Sequence, residues 1–415
     1  MSETTTRSPE SGSEPQSSPQ AAPRSRSKTA GDLNAPLLEV TDLHKYFPVK
    51  SSGLLRRTVG QVQAVDGVSF QVAKGQALGL VGESGCGKST TGRLVTRLYD
   101  LTSGSLKFEG AEIGRLSRRE LMPIRREIQM IFQDPYSSLN PRHTVGTIIG
   151  TPMRLHKTIP GKKVIPRVQE LLELVGLNPE HYNRYPNEFS GGQRQRIGIA
   201  RALALAPKLL VADEPVSALD VSIQAQVVNL LTDLQKELDI AFLFIAHDLA
   251  IVRHFCPEVA VMYLGKVVEI GDRESVYEHA LHPYTQALLS AAPDVKQAAL
   301  GGRRERIRLE GDVPSPINPP SGCRFRTRCS LAQDLCAKVE PPLMQIGPKH
   351  KVACHFAGEL GEHPTKPVTL GLLGIDESGA PAAGTTEASR VDDSATQSGY
   401  SSQWLDLLTG QTVGR

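Results

Sequence analysis

The 415-residue sequence predicts an α/β fold with a parallel central sheet. Three observations predict it. Short apolar runs rich in β-branched and aromatic residues alternate with segments of helical apolar spacing. One of those runs leads directly into a glycine-rich loop. Four of them end in polar residues, where a parallel sheet gathers its ligand.

In chain order, residues 1–35 are rich in Ser, Pro, Thr and charge, and their few large apolar side chains cannot offset the entropy of ordering. They are expected to be disordered, as are residues 358–415, where the apolar patch Trp404–Leu408 reads as a frayed tail or a short docking segment. Ala77–Val81, Gln129–Phe132, Leu209–Ala212 and Ala241–Ala246 read as strands buried on both faces, as does Val259–Leu264. Thr90–Leu98, Val168–Val175, Arg196–Leu205 and Ile223–Leu238 have helical patterns.

A hydrophobic fraction of 39% and a charged fraction of 22% suit a chain that buries a core. The formal net charge of +3 gives no argument for nucleic acid. No apolar run approaches the roughly 18 residues of a spanning helix, so other chains must cross any membrane that the protein serves. The N-terminus has no apolar segment of the secretory type, and a cytosolic, reducing location is the default expectation.

Gly82-Glu83-Ser84-Gly85-Cys86-Gly87-Lys88-Ser89 fits G-x-x-x-x-G-K-S/T, between a strand and a helical pattern that begins at Thr90. Glycines let backbone N–H groups wrap phosphates, and the helix N-terminus adds a favourable dipole. Lys88 is placed for the β- and γ-phosphates of a nucleotide and Ser89 for Mg²⁺. The expected fold is therefore a P-loop nucleotide hydrolase. At the other strand ends stand Gln133, Asp213-Glu214 and His247. Asp213 is the expected Mg²⁺ carboxylate, and Glu214 beside it can polarise an attacking water. His247 is read as functional from its position before Asp248.

Phe189-Ser190-Gly191-Gly192-Gln193, followed by Arg194-Gln195-Arg196, resembles the L-S-G-G-Q signature of the ABC ATPase family, with Phe for Leu. Ser217-Ala218-Leu219-Asp220 is similar to the family's D-loop. Gln133 matches its Q-loop, with Mg²⁺ in reach, and His247 its switch histidine. Phe47 matches the aromatic that stacks on adenine, with Tyr46 as the alternative. The resemblance implies ATP and Mg²⁺ as ligands and a head-to-tail ATPase pair. In that pair Ser190 and the Gly191, Gly192 and Gln193 stretch cap the partner's γ-phosphate.

Within the family, three stretches resemble the dipeptide/oligopeptide importer branch. They are Gly82–Thr90, Ile131–Arg142 (I-F-Q-D-P-Y-S-S-L-N-P-R) and Tyr185–Ala202. His282-Pro283-Tyr284-Thr285 fits as well. Tyr136–Arg142 looks like the second ATPase subunit of such systems, which implies a heterodimer, a homodimer being the alternative. The implied partners are that second ATPase subunit, two membrane permease subunits and an extracytoplasmic substrate-binding protein. The implied location is peripheral, on the cytoplasmic face of the cell membrane. The segment after Gln133 would meet the permeases. The same branch serves nickel, glycoside and antimicrobial-peptide uptake. A soluble ABC ATPase acting on ribosomes or DNA usually carries two cassettes or a long coiled coil, and neither is present.

Six cysteines are present, and four follow the pattern Cys323-x5-Cys329-x6-Cys336-x17-Cys354 after the loop-like stretch Val313–Pro320. Four thiolates on one centre would hold that stretch. The family's C-terminal extension has this pattern, and in some members it is thought to bind a 4Fe–4S cluster. Zinc suits the same ligand set, and four free or disulfide-linked cysteines are the third reading. Cys86 reads as a small filler and Cys256 as buried. The expected organisation is an ATPase domain over residues 36–275, with a helical signature subdomain at about 134–200, and a small Cys-rich extension over 276–357.

Overall fold

The computed structural model describes residues 36–51, 57–291 and 306–357. The expected disordered tails, with Trp404–Leu408, lie outside the described residues.

The strands in order are β1 (Pro36–Lys50), β2 (Thr58–Ala73), β3 (Ala77–Val81), β4 (Ser103–Phe108), β5 (Ala111–Glu112) and β6 (Ile128–Ile131). They continue as β7 (Leu209–Asp213), β8 (Ala241–Ala246), β9 (Glu258–Tyr263), β10 (Lys266–Asp272), β11 (Met344–Gly347) and β12 (His350–Val352). One sheet has the order β2-β1-β4-β5 and is antiparallel. The other has the order β11-β12-β10-β9-β3-β8-β7-β6. Its strands β9, β3, β8, β7 and β6 run parallel, whereas β10, β12 and β11 are antiparallel. The expected parallel sheet is thus the middle of a mixed one. The reversal comes at Leu264-Gly265, whose φ values of 41° and 82° give the two-residue turn that closes a hairpin.

The central strands are apolar on both faces because each face meets a different layer. Phe242, Phe244 and Ala246 of β8 join the core shared with the helices of residues 135–203. Ala241, Leu243 and Ile245 join the core beneath the antiparallel sheet, with Leu38, Phe70 and Phe108. Between β6 and β7 the chain forms only helices, among them Val145–His156, Val164–Leu174 and Gly191–Leu203. The other predicted helical segments form at Lys88–Val95 and Val221–Leu238.

The Cys-rich segment is not a separate body. β12 adds to β10, and Phe325, 2% exposed, sits in the main core against Tyr263 and Tyr284. Val313–Pro320, which four thiolates were expected to hold, meets β2 through a backbone bond, with further contacts just beyond it at Arg324. Gln63 N–H donates to Pro316 O at 3.0 Å, and Arg324 bonds Gln63, the Leu264 carbonyl and Asp66.

Candidate active site

The phosphate-type loop lies between β3 and the helix Lys88–Val95. Two of its glycines are required by space. A Cβ on Gly82 would lie 2.1 Å from the Met262 carbonyl oxygen, and one on Gly87 would lie 2.1 Å from that of Ala64. Both have left-handed φ, 151° and 109°. Gly85 has φ 80° and open space around it. The Lys88 side chain is buried, and its Nζ donates to Gly82 O at 2.7 Å and to Glu83 O at 2.9 Å. The loop therefore folds round its own ammonium group.

Ser89 Oγ donates to Asp213 Oδ1 at 2.7 Å. Burial raises the Asp213 carboxyl above the usual carboxylate range, against the opposing pull of Ser89 and nearby cations. A buried carboxylate and a hydroxyl in contact, next to Lys88, are hard oxygen donors of the type that Mg²⁺ takes with a phosphate. These residues fit that ion.

Glu214 follows β7 with φ 45°, a left-handed conformation that costs a non-glycine residue about 1–2 kcal/mol. Its N–H donates to Ile245 O at 2.9 Å, which ties the turn to β8. The carboxylate meets both polar groups expected from the neighbouring strand ends. Gln133 Nε2 donates to Glu214 Oε2 at 2.8 Å, and His247 Nδ1 lies 3.6 Å from the same oxygen. With its amide nitrogen on Glu214, Gln133 keeps the carboxamide oxygen as the atom that can face a cation.

Ser190 caps the helix Gly191–Leu203 by a reciprocal pair of bonds. Gln193 N–H donates to Ser190 Oγ at 3.3 Å, and Ser190 N–H donates to Gln193 Oε1 at 3.0 Å. A Cβ on Gly192 would lie 2.5 Å from Ile223 Cγ2, so glycine is needed where this helix meets Val221–Leu238. Among the described residues, no hydrogen bond or ion pair joins Ser190–Gln193 to the 82–89 loop.

Phe47 stands half-buried, edge-on to Tyr99 at 5.5 Å, with Lys45 Nζ 5.0 Å over its ring. Tyr46 is committed elsewhere. Its hydroxyl donates to Asp66, and burial with that carboxylate pushes it up to about 12. Thr90 is half-buried on the first turn of the loop helix.

Two contacts carried no signal in the sequence. Glu83 N–H donates to Tyr284 Oη at 2.8 Å. The Glu83 carboxylate receives both arms of Arg328, at 2.7 and 3.2 Å. Tyr284 lies in a motif noticed for its resemblance, but nothing near residue 328 marks it as a neighbour of residue 83.

Cys323, Cys329, Cys336 and Cys354 form no disulfide and line one recess of about 10 Å³, room for about one water. Burial pushes Cys323 up to about 11 and Cys354 up to about 12, so both are neutral thiols near pH 7. Among the described residues, no group of three or more His, Cys, Asp or Glu is placed to hold a metal ion. The donor chemistry suits thiophilic metal, but the arrangement does not fit a cluster as it stands. Cys256 is buried, as expected, and Cys86 is buried as well.

Comparison with known proteins places these features. Residues 65–217 match the ABC transporter family, and residues 268–336 match the C-terminal region of oligopeptide/dipeptide transporters. The chain is 54% identical over 321 residues to the oligopeptide transport ATP-binding protein AppF of Bacillus subtilis, covering 77% of this chain and 97% of the relative. It is 49% identical over 354 residues to a probable peptide ABC transporter ATP-binding protein of Sinorhizobium fredii, covering 85% and 99%. CbiO1 of Clostridium perfringens, part of the ABC transporter complex CbiONQ, superposes with a TM-score of 0.51 at 28% identity, covering 58% of this chain and 90% of that one. A dimeric ATP-binding cassette in a post-hydrolysis state with ADP and Pi gives a TM-score of 0.51 at 27% identity, covering 57% and 98%.

Proposed function

Because the chain belongs to the ATP-binding proteins of ABC-type oligopeptide transport, we propose specific roles for its residues in a peptide importer's motor. The protein is the ATP-binding, ATP-hydrolysing subunit of such an import system. No described helix is long and apolar enough to cross a membrane. In our reading the ATPase acts on permease subunits from the cytoplasmic face, as its likeness to oligopeptide transport ATP-binding proteins suggests, with an extracytoplasmic binding protein delivering peptide.

The observation that carries the residue roles is the convergence of Gln133 and His247 on one oxygen of Glu214, beside the Ser89–Asp213 pair. Glu214 orients and deprotonates the attacking water, and His247 steadies that carboxylate. The Gly82–Thr90 loop takes the phosphates: Gly82, Glu83, Ser84, Gly85, Cys86 and Gly87 supply backbone, and Lys88 supplies charge. Ser89, Asp213 and the Gln133 carboxamide oxygen would hold Mg²⁺, which when bound would supply positive charge beside the phosphates. Phe47 takes the adenine.

Among the described residues, no hydrogen bond or ion pair joins the signature to the loop of its own chain, which supports a composite site. Ser190, Gly191, Gly192 and Gln193 then serve the nucleotide on a second ATPase subunit, a heterodimeric partner in our reading. Nucleotide holds the pair closed, and hydrolysis opens it. The domain limits 36–275 and 276–357 stay as proposed. A 4Fe–4S cluster or zinc on Cys323, Cys329, Cys336 and Cys354 would require the four thiols to draw closer together than they stand and to lose their protons, and no step of ATP hydrolysis is routed through them. Iron, sulfide and zinc analysis after anaerobic purification tests that part.

Uptake of labelled di- and oligopeptides into cells carrying the wild-type protein or Glu214→Gln tests the whole reading. Loss of peptide uptake in the mutant is the expected result. Unchanged peptide uptake would move the cargo to another solute.

A further inference from the structure

We propose that Arg328 is a positioning residue of the phosphate loop, whose forked ion pair masks the Glu83 carboxylate from the polyphosphate of ATP. The proposal rests on the assignment of residues 82–89 to nucleotide binding.

Glu83 is a member of that loop, and its own carbonyl accepts from Lys88 Nζ at 2.9 Å. A carboxylate there is unfavourable for binding a polyanion, because like charges in a partly buried site are poorly screened. Glutamate at this position therefore needs an explanation, and the C-terminal segment supplies one. Arg328 reaches across 245 residues of sequence to meet both carboxylate oxygens, at 2.7 and 3.2 Å. Its side chain is 8% exposed, against 28% for Glu83, so the pair is mostly withdrawn from water. A two-pronged guanidinium contact both neutralises the carboxylate and fixes its direction.

A second anchor acts on the same residue. Tyr284 Oη accepts the Glu83 N–H at 2.8 Å. The Tyr284 ring is fully buried against Tyr263 and Phe325, so its hydroxyl is a fixed point. Glu83 is thus held at its backbone from Pro283–Ala291 and at its carboxylate from the Cys-rich segment. Both grips fix the residue from outside the loop. The C-terminal segment in this way sets the charge and shape of the site in which ATP sits, while contributing no atom to the reaction.

The test uses the assembled transporter, with ATP as the varied substrate. Arg328→Gln should raise KM for ATP about tenfold, the scale of one lost charge-assisted contact, and leave kcat within about twofold. Arg328→Lys keeps the charge and should bring KM back to within about threefold of wild type. The decisive variant is the Arg328→Gln, Glu83→Gln pair, in which the unmasked charge is gone and KM should return close to wild type. A residue that served folding alone would lower the unfolding midpoint, and removing Glu83 would not rescue KM. An unchanged KM in Arg328→Gln, or no recovery in the double variant, overturns the proposal. Lys88→Ala separates the two levels: if ATP binding survives that change, the assignment of the loop itself is wrong.

Discussion

Gln133 Nε2 donates a 2.8 Å hydrogen bond to Glu214 Oε2, across 81 residues of sequence. The bond joins the end of β6 to the turn after β7, two strands that are neighbours in the sheet. His247, at the end of β8, approaches the same oxygen to 3.6 Å from the other side. Three adjacent parallel strands therefore end on one carboxylate. Its direction is set by strand register rather than by loop flexibility.

Glu214→Gln should keep ATP binding and slow hydrolysis by roughly a hundredfold or more, the usual contribution of a placed general base. The amide is isosteric, so the bond from Gln133 can be replaced and the turn kept. Nucleotide-binding titration beside phosphate release checks this. Normal turnover in the variant would remove Glu214 from the role of base.

The loop and the strand ends were legible because they are local: Ala77–Val81 and Leu209–Ala212 are uninterrupted apolar runs that stop at functional residues. The Ser190 cap was legible for the same reason, with Gln193 three residues on. The antiparallel additions were not read, although two short turns signal them. Leu264-Gly265 joins β9 to β10, and Glu109-Gly110, with φ 50° and 77°, joins β4 to β5. What no local pattern could disclose is the grip of Arg328 and Tyr284 on Glu83, since each partner is an ordinary residue until the fold brings them together.

Tyr46 and Phe47 are neighbours with opposite fates, and substitution should separate them. Tyr46→Phe removes the hydroxyl that bonds Asp66 and should destabilise the fold by about 1–2 kcal/mol with KM for ATP unchanged. Phe47→Leu should instead raise KM for ATP about threefold to tenfold, the cost of losing one aromatic stack. Chemical denaturation and ATP titration of both variants test the assignment. A reversed pattern would give the adenine to Tyr46.

Gly192 is pressed against Ile223, where a Cβ would lie 2.5 Å from Cγ2. Gly192→Ala should therefore cost about 1–3 kcal/mol through overpacking. Adding Ile223→Ala should recover part of that loss, because the two sites share one contact and their effects do not add. Denaturant midpoints of the two single variants and the double variant measure the coupling. Strict additivity would show that the close approach is relieved elsewhere.

Asp66 offers a test by pH. Burial would raise its carboxyl, but the Tyr46 hydroxyl, Lys266 and Arg324 outweigh burial and hold it at about 2. The folded value lies below the roughly 3.9 of an unfolded aspartate, so the folded state favours the charged form. The resulting stabilisation, about 2 kcal/mol, is complete above about pH 4 and drains away as pH falls towards 2. Asp66→Asn should be less stable than wild type by about 3 kcal/mol at pH 7, since it also leaves the buried Arg324 without its carboxylate. Denaturation midpoints at pH 7, 5, 4 and 3 should show a constant gap down to about pH 4 and a shrinking one below it. A gap that persists unchanged at pH 3 would mean that shape, not charge, is what Asp66 contributes where the antiparallel sheet meets the Cys-rich segment.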